Sequence, residues 1–345
     1  MFQTTEAKHI EIQLSLNCLE RKNVRVVFWS PQRHCGTTSH MLLTAAMIAE
    51  RMECRTVLIP SLAKDENFKD YFSRGKQSVV REKCAYGEEN DELLRAVREG
   101  SLTPKQIGRA VKTLKKGRLF CCDGFLPQRR TYDRSEVEDL LSCMIAAIDH
   151  MADYVFIDCG STDDAWTREQ LRQADLVIVN LAQTQDSLYH LFCRHAEVFS
   201  EQLYFISSYQ KDSIYNKENI SRICSIEKWR LGVFPYNPEF EMACINGRLD
   251  RYVMKKERYN GTEMRQYFFE EADRSVRLVM ESLKLKRAKE EAAKNQKKSE
   301  ERKGENKYEA YYGALRNSHF NRGCISSTGS DISSICEEQL YHDAV

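Results

Sequence analysis

Short β-rich runs alternate with longer amphipathic runs through most of this chain, and no other feature restricts its fold as strongly. Residues 24–29 (Val-Arg-Val-Val-Phe-Trp) are nearly continuously apolar, as a strand covered on both faces requires. A turn follows at Ser30 to Gly36, then a helical pattern from Thr37 to Met52, with Met41, Leu42, Ala45, Ile48 and Ala49 on its inner face. Residues 56–59 make the next strand. This is one βαβ unit, whose crossover is nearly always right-handed. Further strands are expected at 118–122, 154–158, 175–181, 203–207 and 231–235. Helices are expected at 134–151, 164–173, 185–200 and about 216–226. The fold class that follows is α/β, a doubly wound and mostly parallel sheet with helices on both faces.

The flanking segments read differently. Residues 8–17 alternate apolar and polar, the pattern of a half-buried strand. Residues 62–117 are more polar and read as a helical insertion or lid. Residues 262–283 form a helix with Met264, Tyr267, Phe268, Val276 and Met280 as its apolar face. The apolar pattern ends there, so the expected domain spans 1–283 and a tail spans 284–345. Lys284 to Lys303 holds nine Lys or Arg and four Glu, an excess of five positive charges. Such a segment either solubilises the chain or touches DNA or an anionic membrane, and solubilisation is the favoured reading. It lacks the apolar face of a helix lying in a membrane. Residues 317–345 carry Ser and Gly and are expected to be unstructured.

Composition narrows the function. The net charge of +1 gives no global attraction to nucleic acid or lipid. Thirteen cysteines, none in a C-x-x-C pair, mostly sit inside apolar runs. That suits buried small hydrophobes in a reducing compartment better than disulfides or a zinc site. The N-terminus lacks the basic and apolar regions of a signal peptide, and no run reaches membrane-span length. A cytoplasmic location is expected.

The turn after the first strand carries the chemistry. A strand, a tight turn and a helix N-terminus place unpaired backbone N–H groups around an anion. The usual phosphate loop is G-x-x-x-x-G-K-[ST]. Over Pro31 to Thr38, Gly36 and Thr38 match, Pro31 stands at the first glycine and Thr37 at the lysine. Thr37 can give a hydroxyl hydrogen bond but no charge. Thr38 can place its hydroxyl on a magnesium ion, and Arg33 and His34 can bring charge from elsewhere in the turn. The turn is either an anion site or a polar connection that binds nothing. Asp158 ends the strand 154–157, where ligands gather in open α/β sheets. It either orders a magnesium shell or attacking water, or caps the turn that follows.

The order of these parts resembles the ParA/MinD family of deviant Walker ATPases. The run Val-Val-Phe-Trp-Ser-Pro through Cys-Gly-Thr-Thr-Ser resembles the family's K-G-G-x-G-K-[ST]-[ST] loop and its strand. Asp153 to Asp158 resembles the strand ending in the family's aspartate, and Ala174 to Val179 its next strand. Gly232-Val-Phe-Pro-Tyr-Asn-Pro-Glu-Phe240, with Ala243 and Gly247, resembles the late segment that packs beside adenine. The resemblance covers about residues 24–283.

It implies a P-loop NTPase fold, ATP and Mg²⁺ as cofactors, and a homodimer that sandwiches nucleotide and recruits protein partners. The cofactor-binding residues it implies are Gln32, Arg33, His34, Cys35, Gly36, Thr37, Thr38, Ser39, Pro235, Tyr236 and Asn237. Thr38 and Asp158 would serve the metal, and Asp158 the chemistry. The departures lie in the loop. Gln32 replaces the signature lysine, Thr37 the loop lysine, and Arg33 and His34 two glycines. This degenerate Walker A loop resembles the TadZ/CpaE-like branch that positions pilus machinery. Losing a charged transition-state contact typically costs about a hundredfold in rate, so hydrolysis is expected to be slow or absent. The function expected is a nucleotide-dependent dimeric switch in spatial organisation, either positioning pilus or secretion machinery or partitioning DNA. The alternative is a pseudo-ATPase scaffold that binds no nucleotide and works by protein contacts. A metabolic ligase or kinase on the same fold would need a Cys–His pair or second carboxylate cluster, and neither is evident.

Overall fold

Alternate residues of the first strand face opposite ways into two cores. A computed structural model describes residues 24–60, 68–72, 92–93, 95–101, 103–115, 117–122, 134–148, 151–194, 202–254 and 261–320. Strand β1 (Val24–Trp29) is buried along its whole length. Val24, Val26 and Phe28 join one apolar cluster, and Val27 and Trp29 join the other. Two covered faces explain the nearly continuous apolar run.

Among the described residues the sheet has eight strands, β1 with β2 (Thr56–Ile59), β3 (Lys112–Lys115), β4 (Leu119–Cys121), β5 (Tyr154–Gly160), β6 (Leu176–Ala182), β7 (Gln202–Tyr209) and β8 (Leu231–Pro235). Their order is β3-β4-β2-β5-β1-β6-β7-β8. All pairs are parallel except β3 with β4. β1 lies between β5 and β6. The chain therefore turns to opposite sides of β1, and the crevice at that reversal is where open α/β sheets hold ligands.

Helix α1 (Thr37–Arg51) packs on the first face and is buried from Thr37 to Ala49 apart from Ser39, which is half-buried. Short helices α2 (Lys69–Phe72) and α3 (Pro104–Ala110) follow, the latter opened by a Thr103–Gln106 capping box. Helices α4 (Arg134–Ile148) and α5 (Ala165–Gln173) supply the opposite face, through Leu140, Leu141, Met144, Trp166 and Leu171. Helices α6 (Gln185–Arg194), α7 (Lys217–Ile223), α8 (Pro238–Ile245) and α9 (Leu249–Tyr252) complete the α/β alternation before the long helix α10 (Glu263–Phe320).

The described residues divide into two units, the first ending at Arg287 and the second beginning at Ala288. Within the first, α10 buries Phe268, Phe269, Ala272, Val276, Val279 and Leu283, a stripe at three- and four-residue spacing. Ser275 lies on the same helix, and its hydroxyl donates to the Val233 carbonyl (3.0 Å) and accepts from the Val233 N–H (2.9 Å). One side chain thus satisfies the outer backbone groups of an edge strand that would otherwise be buried without partners.

Three expectations need correction. Residues 112–115, read as part of a helical insertion, form the antiparallel edge strand β3. Met264, placed on the inner face of α10, is 53% exposed, because the 3.6-residue period centres the stripe on Phe268, Ala272 and Val276 instead. Residues 317–320 continue the helix rather than beginning an unstructured tail. The strand expected at 8–17 and the segment 321–345 lie outside the described residues. Among the described residues, no helix is long and apolar enough to cross a membrane.

Candidate functional site

Ser30 follows β1 and begins the turn. It is fully buried, and its N–H donates to the Gly160 carbonyl (2.9 Å). Its hydroxyl donates to the Gln32 carbonyl (2.6 Å) and accepts from the Gln32 N–H (3.2 Å). The chain then reverses through two residues in the left-handed region, His34 (φ 64°) and Gly36 (φ 75°). At Gly36 only glycine fits, because a Cβ there would lie 2.8 Å from Cε1 and Nε2 of His40. Helix α1 begins next, with no side-chain cap and no acidic residue in its first turn. Its N-terminal amides have no helical carbonyl partners, and an anion is the natural complement.

Thr38, in the second position of α1, donates its hydroxyl to Asp158 Oδ2 at 2.5 Å, and the pair is buried. Parallel pairing brings Asp158 there, since Phe28 aligns with Asp158 and the register then slips to pair Trp29 with Gly160. The other oxygen of Asp158 accepts the Gly160 N–H at 2.8 Å. The carboxylate therefore caps its own turn and also holds the first turn of α1. Beside it, burial pushes the Cys159 thiol well above its ordinary range, with the Asp158 and Asp164 charges adding to the effect. That thiol is inert. Of the cysteines described, Cys35, Cys54, Cys121, Cys122 and Cys159 are buried.

The remaining loop residues lie around this centre. Cys35 is buried, with Sγ directed to the Arg33 carbonyl (3.7 Å). Thr37 is buried and Ser39 half-buried, whereas Arg33 and His34 are exposed. Gln32, at the signature-lysine position, donates its amide to Asp186 on α6, which also lies 3.7 Å from His190 Nε2. Gln32 and Thr37 carry no charge, while the Thr38 hydroxyl and the Asp158 carboxylate are brought together. Mg²⁺ takes oxygen ligands and keeps several waters. The Thr38 hydroxyl and Asp158 carboxylate fit that preference. Among the described residues no cluster of three His, Cys, Asp or Glu side chains would bind a metal unaided.

Pro235 closes β8 and is buried, and Tyr236 is 55% exposed. Asn237 is buried and caps α8, its Oδ1 accepting the Phe240 N–H (2.8 Å) and the Tyr252 hydroxyl (3.1 Å). Burial raises the Tyr252 phenol pKa, which keeps it a donor. The Asn237 side-chain oxygen thus has a structural use, and Tyr236 is the accessible aromatic of the segment.

Two residues here escaped the sequence reading. His40, on α1, places Nδ1 2.8 Å from Asn180 Oδ1, and both are buried. Burial pushes His40 down to about 4, with the Asn180 hydrogen bond opposing that shift. The available signal was a lone Asn within the apolar run Leu-Val-Ile-Val-Asn-Leu-Ala.

The sequence matches no protein-family model and no curated protein. Solved structures are similar in fold. A ParA family ATPase from Chlorobium tepidum TLS shares 13% identity, with a TM-score of 0.52 over 73% of this chain and 98% of its own. The cell division ATPase MinD of Pyrococcus furiosus gives 13% identity, a TM-score of 0.51 and the same coverage. A putative plasmid partition protein from Borrelia burgdorferi B31, solved with AMPPNP bound, gives 13% identity and a TM-score of 0.50 over 75% of this chain and 99% of its own.

Proposed function

We propose that this chain, whose fold is similar to that of ParA/MinD ATPases, binds ATP with Mg²⁺, hydrolyses it slowly or not at all, and acts as a nucleotide-dependent dimeric switch. The process served is spatial organisation in the cytoplasm, either placement of pilus or secretion machinery or partition of DNA. In this reading residues 1–283 bind nucleotide, and 284–345 are an appendage whose basic part solubilises the chain.

One observation carries the reading. The Thr38 hydroxyl and Asp158 carboxylate meet in a buried hydrogen bond beneath an uncapped helix N-terminus. Backbone N–H groups of the first turn of α1 would orient the phosphates. Thr38 would offer its hydroxyl to the metal, and Asp158 would hold the metal's water shell and orient an attacking water. Bound Mg²⁺ supplies Lewis-acid neutralisation of phosphate charge. Thr37 adds no charge to the transferred group, which is why turnover is slow. Gln32, held by Asp186, cannot act as a cation toward a second subunit.

That last contact favours a second reading, a scaffold that binds no nucleotide. The two differ in a melting experiment. A ligand that binds only the native state stabilises it by RT ln(1 + [L]/Kd), about 2.7 kcal/mol at 100 times Kd. Millimolar ATP with Mg²⁺ should raise the melting temperature of the full chain, and an unchanged curve selects the scaffold.

A further inference from the structure

We propose that His40 and Asn180 form a buried clasp that fixes both ends of the phosphate-binding turn, so that the turn is preformed without a loop lysine. The proposal deepens the nucleotide-site reading and rests on it only for its ligand.

The clasp follows from hydrogen-bond chemistry. Asn180 lies in β6 beside β1 and is fully buried. Its Nδ2 faces two backbone carbonyls, those of Trp29 and Ile178, each at 3.3 Å. A carbonyl accepts only, so the nitrogen must face them and Oδ1 must face His40. His40 therefore donates from Nδ1 across 2.8 Å, which assigns the Nδ1–H tautomer. Trp29 is the last residue before the turn, and His40 lies in the first turns of the helix after it. A single chain of side-chain bonds thus ties the entry of the turn to its exit.

The imidazole also works as a wedge. On one side it stacks on Phe234 of β8, with ring centroids 4.2 Å apart and planes at 17°. Phe205 meets it edge-on at 6.4 Å. The Gly36 backbone also lies so close to the ring that a Cβ there would collide with it. Phe234 directly precedes Pro235 and Tyr236, so the same ring joins the turn to the segment expected to meet the base. Its neighbours Phe234, Phe205, Asn180 and Gly36 carry no charge. A neutral ring adds no charge to a phosphate, and His40 acts through geometry as a positioning residue. A side chain that merely filled space would leave the turn unchanged when replaced by one of similar volume.

The test uses the full chain as wild type, His40→Leu, His40→Asn and Asn180→Ala. Nitrogen NMR of the wild-type histidines should show one Nδ1–H tautomer. Hydrogen exchange at the amides of residues 36–39 should accelerate about tenfold or more in His40→Leu and Asn180→Ala, and ATP–Mg²⁺ affinity should fall by about tenfold. His40→Asn keeps a donor near the Nδ1 position and should recover part of both. If His40→Leu fails to fold, Asn180→Ala and the wild-type tautomer carry the test. An Nε2–H tautomer, or unchanged exchange at residues 36–39 in Asn180→Ala, overturns the clasp. If wild type binds no ATP while exchange responds as expected, the clasp stands and the nucleotide reading fails.

Discussion

Replacing Thr37 by lysine is expected to tighten ATP–Mg²⁺ binding by about ten- to a hundredfold. A charge-assisted hydrogen bond to phosphate contributes roughly 1.5–3 kcal/mol, which is that range in affinity. Thr37 is the first residue of α1 and is buried, so a lysine stem there starts beside the phosphate cradle. Arg33 and His34 are exposed, and the Gln32 amide is held by Asp186. Hydrolysis should rise much less, because Gln32 still replaces the signature lysine. Titrating wild type, Thr37→Lys and Arg33→Ala side by side checks this. No gain in Thr37→Lys together with loss in Arg33→Ala would show that Arg33 carries the charge.

Acid should destabilise the wild type more than a variant lacking His40. The folded pKa of His40 is lowered to about 4 from 6.5, by burial against uncharged neighbours. The unfolded chain therefore takes up a proton first. The stability this neutral imidazole confers is complete above pH 6.5 and is lost as the pH falls toward 4. The full loss is on the order of 3 kcal/mol. Carboxylates titrate in the same window in both proteins, so the difference between wild type and His40→Leu isolates the histidine. Urea unfolding at pH 7 and near pH 4.5 should show wild type losing roughly 2–3 kcal/mol more than the variant. Equal losses would mean that His40 is charged or solvated in the folded protein.

The parts legible in the sequence were those whose environment forces a local pattern. β1 and β5 are covered on both faces, so each reads as a nearly continuous apolar run, broken by Arg25 in one and ended by Asp158 in the other. Thr38 and Asp158 were identified singly, one by a Gly-Thr-Thr run at a strand-to-helix junction and the other by its place at a strand end. Their hydrogen bond depends on parallel register between segments far apart in sequence, which no local pattern encodes. β3 was missed because an edge strand needs only one partner and exposes polar side chains, and Lys-Thr-Leu-Lys has no strand signature. His40 and Asn180 were missed for the opposite reason. A polar pair that satisfies itself inside a core leaves the surrounding apolar pattern undisturbed. Asn237 was read for its place in a resemblance, whereas the Asn-Pro step before α8 is also an N-cap signal.

In the proposed reading the magnesium half of the site is intact and the lysine half is gone. A site built this way should depend on the metal far more than an ordinary phosphate loop, since no lysine is present to neutralise the phosphates. The direct measurement is a calorimetric titration of ATP into the full chain, once with Mg²⁺ and once with EDTA, for wild type and Asp158→Asn. Wild type should bind saturably with Mg²⁺ and at least about tenfold more weakly with EDTA, and Asp158→Asn should lose that difference. Equal wild-type affinity with and without Mg²⁺, or no binding in either condition, would contradict that reading.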